Sequence, residues 1–110
     1  MTYTGIEWRD RNIAVITAEA EWDSYVEAGT IEMNYDNEIA IISNIRIEDA
    51  FQGNGLGTAA IIDIANEEGQ VLIMANNHIA EKLYARLGEI YESTNEYPVR
   101  IIKARNATAE

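Results

Sequence analysis

The sequence predicts an α+β domain, a mixed and mostly antiparallel sheet flanked by two main helices, on three observations. The first half carries β-branched and alternating segments, the second half alternates strand and helix patterns, and a glycine-rich loop marks the change between them. With 110 residues, 47% of them apolar, and no internal repeat, linker or low-complexity tract, the chain reads as a single domain, 1–110.

Residues 12–17 (Asn-Ile-Ala-Val-Ile-Thr) are short and β-branched, which predicts a strand. The connection to residue 29 has room for a turn or one short segment, with Glu19, Glu21, Trp22, Asp23, Tyr25 and Glu27 in it. Residues 29–35 alternate: Ile31, Met33 and Tyr35 share one face, Thr30, Glu32 and Asn34 the other. Asp36 and Asn37 tolerate positive φ and predict a tight turn. Residues 39–45 are apolar on both faces apart from Ser43 and Asn44, as a strand in the middle of a sheet requires.

A helix is predicted over 57–68, where Ala59, Ala60, Ile61, Ile62, Ile64 and Ala65 make a broad apolar face and Gly69 a stop. Residues 71–75 (Val-Leu-Ile-Met-Ala) form another buried strand. A second helix covers 77–87, with Ile79, Ala80, Leu83, Tyr84 and Leu87 at three- and four-residue spacing and Gly88 at its end. Residues 98–104 supply a last strand.

The net charge of −11 argues against nucleic acid as a direct ligand, because binding the phosphate backbone needs a basic face. It favours solubility and attracts cationic partners such as a lysine-rich surface or a polyamine. The absence of cysteine removes disulfides, a catalytic thiol and any thiolate metal site, and a lone histidine, His78, does not make a zinc site. No apolar run approaches the roughly 20 residues of a membrane span. Neither a basic region nor an apolar run opens the chain, so a signal peptide is not expected and a cytoplasmic location is.

Gly53, Gly55 and Gly57 follow a buried strand and open a helix. Glycines admit close backbone approach, and free N–H groups at a helix N-terminus attract an anion, with pyrophosphate the obvious guest. A tight strand-to-helix turn explains the same glycines structurally. A P-loop is excluded because Thr58-Ala59, not Lys-Ser/Thr, follows Gly57. A dinucleotide fingerprint lacks its acidic residue after the next strand, where Ala75-Asn76-Asn77 stands.

Residues 45–57, and in particular Phe51-Gln52-Gly53-Asn54-Gly55-Leu56-Gly57, resemble the Arg/Gln-x-x-Gly-x-Gly/Ala motif of the Gcn5-related N-acetyltransferases (GNAT). Residues 77–88 resemble that family's second motif, Asn-x-x-Ala-x-x-Leu-Tyr-x-x-Leu-Gly, at every fixed position. The similarity covers residues 39–92, about half the chain. In size and acidity the chain also resembles small members of the family found in bacteriophages, where they can modify host proteins.

The resemblance implies acetyl-CoA as donor, no metal, and direct attack of a neutral amine on the thioester. It implies that the backbones of Ile45, Arg46 and Ile47 pair with the pantetheine arm. The amides of Gln52, Gly53, Asn54, Gly55, Leu56 and Gly57, running on to Thr58, would take the pyrophosphate. Asn77 would bond the pantetheine, and Lys82, with Arg86 on the same helix face, would meet the 3′-phosphate. Tyr84 is the implied acid for the leaving thiolate, although its helical spacing alone fits a core residue. Glu38 is the expected base, ahead of Glu48 and Asp49.

The chain departs from the family at Asp49, where proline is common, at Gln52, where arginine is frequent, and at Glu89, where an aromatic often stands. The region before residue 29 is too short for the two helices that usually shape the acceptor site. An open site results, suited to an amine on a protein, a lysine side chain among them. The competing expectations are an inactive binding module of this fold and an acidic DNA mimic that blocks a partner protein. A homodimer through exposed strand edges is a further expectation.

Overall fold

A computed structural model describes residues 2–21 and 24–105; Trp22 and Asp23 of the short connection lie outside them. The elements run β1 (Thr2–Asp10), β2 (Ile13–Glu19), β3 (Tyr25–Asp36), β4 (Ile39–Ile47), α1 (Leu56–Glu68), β5 (Gln70–Met74), α2 (His78–Leu87), β6 (Glu89–Glu92) and β7 (Val99–Lys103). The strands form one sheet in the order β1-β2-β3-β4-β5-β7-β6. Only β4 and β5 are parallel, joined through α1; every other neighbouring pair is antiparallel.

The predicted alternation is what builds the core. Ile31 and Met33 of β3 turn inward with Ala14 and Ile16 of β2, Ala40 and Ile42 of β4, Val71 and Ile73 of β5 and Ile102 of β7. Leu56, Ala60, Ile61, Ile64 and Ala65 of α1 and Tyr84 of α2 close over this face. Each fully buried isoleucine here contributes about 1.5–3 kcal/mol. Among the described residues no α-helix stands between β2 and β3. The opposite face, bearing Ile39, Ile41, Leu72 and Met74, therefore has no helical cover, and Met74 is 53% exposed.

Part of the negative charge has a structural use. Tyr3 donates to Asp63 Oδ2 at 2.6 Å, Trp8 Nε1 to Glu67 Oε1 at 3.1 Å and Tyr35 to Glu68 Oε2 at 3.3 Å. These bonds tie β1 and β3 to the acidic side of α1.

Three details differ from the sequence expectations. Strands β1 and β6 were not foreseen: a register shift between Tyr3 and Gly5 breaks the alternation of β1, and all four residues of β6 are exposed. The β3–β4 turn sits one residue later than Asp36-Asn37. Asp36 pairs with Ile39, and it is Asn37 (φ 52°) and Glu38 (φ 69°) that take left-handed torsions. Finally, β4 carries a bulge. Met33 pairs with Ile42 and Glu32 with Asn44, which leaves Ser43 as the extra residue.

Candidate active site

Past the bulge, β4 and β5 part. Their parallel ladder consists of Ile41↔Leu72 and Ile42↔Ile73, and beyond it the β5-facing edge of β4 from Ser43 to Ile47 has no strand partner among the described residues. Ser43 donates to Glu32 O at 3.1 Å and fixes the bulge toward β3. The extra residue reverses the strand's parity, so Ile45, opposite buried Ile31, faces the helices.

The gap opens on both faces of the sheet. On the helix side is a chamber of about 310 Å³, lined by Ser43, Asn44, Ile45, Met74, Ala75, Asn76, Asn77, Ala80 and Tyr84. On the bare side is a groove of about 440 Å³, lined by Asp36, Ile39, Ile41, Leu72, Tyr91, Glu92 and Val99. Ile42, Ser43, Ile73 and Met74 line both, so the two spaces meet where the ladder ends.

The glycine loop lies beside the helix-side chamber. Gly55 caps α1 at φ 74°, a conformation that favours glycine. Gly57 differs: it is helical, and an added Cβ would sit 3.8 Å from Ile45 Cδ1, an ordinary contact. Neither torsion nor packing demands glycine there, and Gly57 lines the chamber over the helix N-terminus. Gln52 Nε2 bonds Ile47 O at 3.1 Å and Asp49 Oδ1 at 3.2 Å, while Asn54 Nδ2 bonds Phe51 O at 3.1 Å, so side chains hold the loop in shape. The surrounding chamber is lined by Ile47, Phe51, Gln52, Gly53, Gly55, Leu56, Gly57, Thr58, Asn77, Ile79, Ala80 and Leu83, and none of the described residues brings a formally charged side chain to it. An anion there is met by backbone amides and the helix dipole.

Helix α2 supplies the other wall. Asn77 caps it, accepting the Ala80 N–H at 2.8 Å and donating to Asn76 Oδ1 at 2.9 Å, and it lines both the loop chamber and the gap. Arg100 of β7 anchors the helix through Glu81 Oε2 at 2.8 Å and Gly88 O at 3.1 Å. Tyr84, about two turns beyond Asn77 and 7% exposed, lines the gap. Burial raises the pKa of its phenol, which therefore stays protonated through the neutral range.

The fold thus gathers Ile45, Ile47, Gln52, Gly53, Gly55, Leu56, Gly57, Thr58, Asn77 and Tyr84 around one gap, while Asn54 lines none of these spaces. The Arg46 side chain and Lys82 are exposed and line none of these spaces, although the Arg46 backbone belongs to the β4 edge beyond the ladder; His78 is the exposed first residue of α2. Glu38, the expected base, is not brought to the gap: it occupies the β3–β4 turn and lines neither chamber nor groove. The bulge and the groove residues Asp36, Tyr91 and Glu92 were not picked out from sequence. The polar pair Ser43-Asn44 inside an apolar strand was the one trace of the bulge. Among the described residues no cluster of acidic or histidine side chains could hold a metal ion.

Comparisons place this geometry. The fold is similar to the PaiA N-acetyltransferase from Thermoplasma acidophilum in complex with coenzyme A, with TM-score 0.62, 12% identity, and 84% of this chain aligned to 61% of that one. This chain thus spans about three fifths of that protein's length. It is also similar to the ribosomal-protein-S18-alanine N-acetyltransferase from Escherichia coli, with TM-score 0.56, 19% identity and 87% of this chain against 68% of that one. No curated protein matches the sequence. The model of the acetyltransferase (GNAT) family matches residues 2–88, from the start of β1 to the end of α2, and the chain belongs to that family.

Proposed function

We propose that this protein is an N-acetyltransferase that moves the acetyl group of acetyl-CoA to a primary amine, a protein lysine in particular. The observation that carries this reading is the gap itself. It has an unpaired β4 edge on one side, a glycine-opened helix N-terminus at one end and a buried, protonated tyrosine facing it. Family membership and the fold of a coenzyme A complex support the choice of donor.

In this reading the backbone from Ser43 to Ile47 hydrogen-bonds the pantetheine arm as an added strand would. Loop amides from Gln52 to Thr58 receive the pyrophosphate. Asn77, whose Oδ1 is committed to the helix cap, reaches the arm only through its amide side. The acceptor ammonium first loses a proton to water. Its nitrogen then attacks the thioester carbonyl carbon: the C–N bond forms, the C–S bond breaks, and the second amine proton also leaves to solvent. The thiolate takes a proton from Tyr84, which is restored from water. Among the described residues no carboxylate lines the helix-side chamber and Glu38 lines neither space, so the reading sends the amine protons to water through the open groove.

The test is incubation of the purified protein with acetyl-CoA and a lysine-containing peptide. Mass spectrometry should find one added acetyl group on the amine at a rate that depends on the protein and drops in Tyr84→Phe. Unmodified peptide, with acetyl-CoA shown to bind, would refute transfer to lysine.

A further inference from the structure

Resting on the acetyltransferase reading, in which the amine enters opposite the donor through the bare-face groove, we propose that Asp36 and Glu92 make this groove select a lysine in a polypeptide segment bearing a second positive charge. The groove meets the helix-side chamber at Ile42, Ser43, Ile73 and Met74, where the β4–β5 ladder ends. A donor laid along the unpaired β4 edge fills the helix side and leaves its thioester at this junction. The amine then enters from the opposite face of the sheet.

The lining specifies the guest. Ile39, Ile41, Leu72 and Val99 form an apolar trough that suits the four-carbon stem of lysine, whose charge prefers to reach beyond apolar surface. Asp36 of β3 and Glu92 of β6 are the acidic side chains of the lining, and among the described residues no basic side chain lines the groove. They attract the incoming cation, and with one amine committed to the junction, a carboxylate of the lining is left for a neighbouring charge. Their sign also matches the −11 net charge, which draws basic segments from a distance.

The surroundings favour a polypeptide over a free amine. Leu72 lies buried at the floor of the groove, while its rim presents Tyr91 and Met74, 50% and 53% exposed. A small amine would leave these surfaces in water, whereas residues flanking a lysine cover them. Strand β6, which supplies Tyr91 and Glu92, is also the outermost strand, and its outer edge offers backbone hydrogen bonds to an extended segment.

The experiment compares three acceptors, with wild type and with Asp36→Asn and Glu92→Gln. These are a lysine peptide with arginine neighbours, the same peptide with glutamate neighbours, and butylamine. Acetyl transfer is followed by mass spectrometry, and binding of the fluorescein-labelled peptides is followed by anisotropy without donor. The arginine-flanked peptide should have the lowest KM. Each substitution should raise that KM about 3- to 10-fold with kcat kept, and weaken anisotropy binding by the same factor, as rim charges do.

Equal KM for the two peptides, butylamine used as well as peptide, or no effect of either substitution would overturn the proposal while transfer itself stood. If wild type neither binds nor consumes acetyl-CoA, the acetyltransferase reading fails. The anisotropy measurement still decides the groove: charge-dependent binding lost in Asp36→Asn and Glu92→Gln supports it, and its absence sinks it.

Discussion

The Ser43 hydroxyl bonds the Glu32 carbonyl at 3.1 Å, on the residue that β4 carries in excess of β3. One additional residue turns β4 away from β5, and the gap follows from it. Ser43→Ala should cost about 0.5–1 kcal/mol in chemical denaturation, the net worth of one hydrogen bond. Deleting Ser43 should do far more. It would swing Ile45 and Ile47 to the other face, and acetyl-CoA affinity should vanish. A deletion variant that binds as wild type does would contradict this origin of the site.

Tyr84 has no hydrogen bond among the causes of its raised pKa, which is due to burial alone. Tyr84→Phe should therefore leave thermal stability nearly unchanged while lowering kcat about 10²-fold or more, the usual worth of a positioned acid. Because the folded-state pKa lies above the ordinary value of about 10, activity should show no alkaline decline from this group below pH 10. A variant with full kcat would make Tyr84 a core residue only.

Glu38 tests the assignment from the other direction. It holds φ 69° in the turn, a conformation that costs a side-chain-bearing residue on the order of 1 kcal/mol and glycine almost nothing. Glu38→Gly should raise the unfolding free energy by up to about 1 kcal/mol and keep kcat. Loss of kcat in a stabilised variant would restore Glu38 as the base.

The tyrosines set the alkaline limit of stability. Burial, the 2.6 Å bond to Asp63 and the charges of Asp63 and Glu67 push the Tyr3 pKa far above its ordinary value, and Tyr35 and Tyr84 shift the same way. Groups with raised folded-state pKa values stabilise fully below the unfolded value, about 10, and lose that contribution as pH rises through the folded value. Unfolding free energy should therefore fall above pH 10. Tyr3→Phe should flatten that fall while costing about 1 kcal/mol at pH 7. An equal slope in the variant would show that Tyr3 is not responsible.

How much of this was legible depended on whether the signal was local. The apolar period of α1, the Asn77 and Gly88 ends of α2 and the alternation of β3 are set by neighbours in sequence, and they read out correctly. Strand β6 is not: Glu-Ile-Tyr-Glu has every side chain exposed and exists only because Val99–Lys103 offers it an edge. The same holds at the site. The glycine loop and Tyr84 were recognisable as motifs, whereas the groove joins Asp36, Leu72 and Glu92 from different strands. Glu38, chosen for its nearness to β4 in sequence, sits in the β3–β4 turn and lines neither chamber nor groove.

The most direct test of the donor site is calorimetric titration of acetyl-CoA into the wild-type protein and into Gly57→Glu. A Cβ fits at this helical position, and a carboxylate in the first turn suits the helix dipole, so the variant should fold with equal or greater stability. Its side chain would place bulk and negative charge where the pyrophosphate goes. Micromolar binding to wild type and none to the folded variant is the predicted result. No binding to wild type, or equal binding to both, would contradict the account.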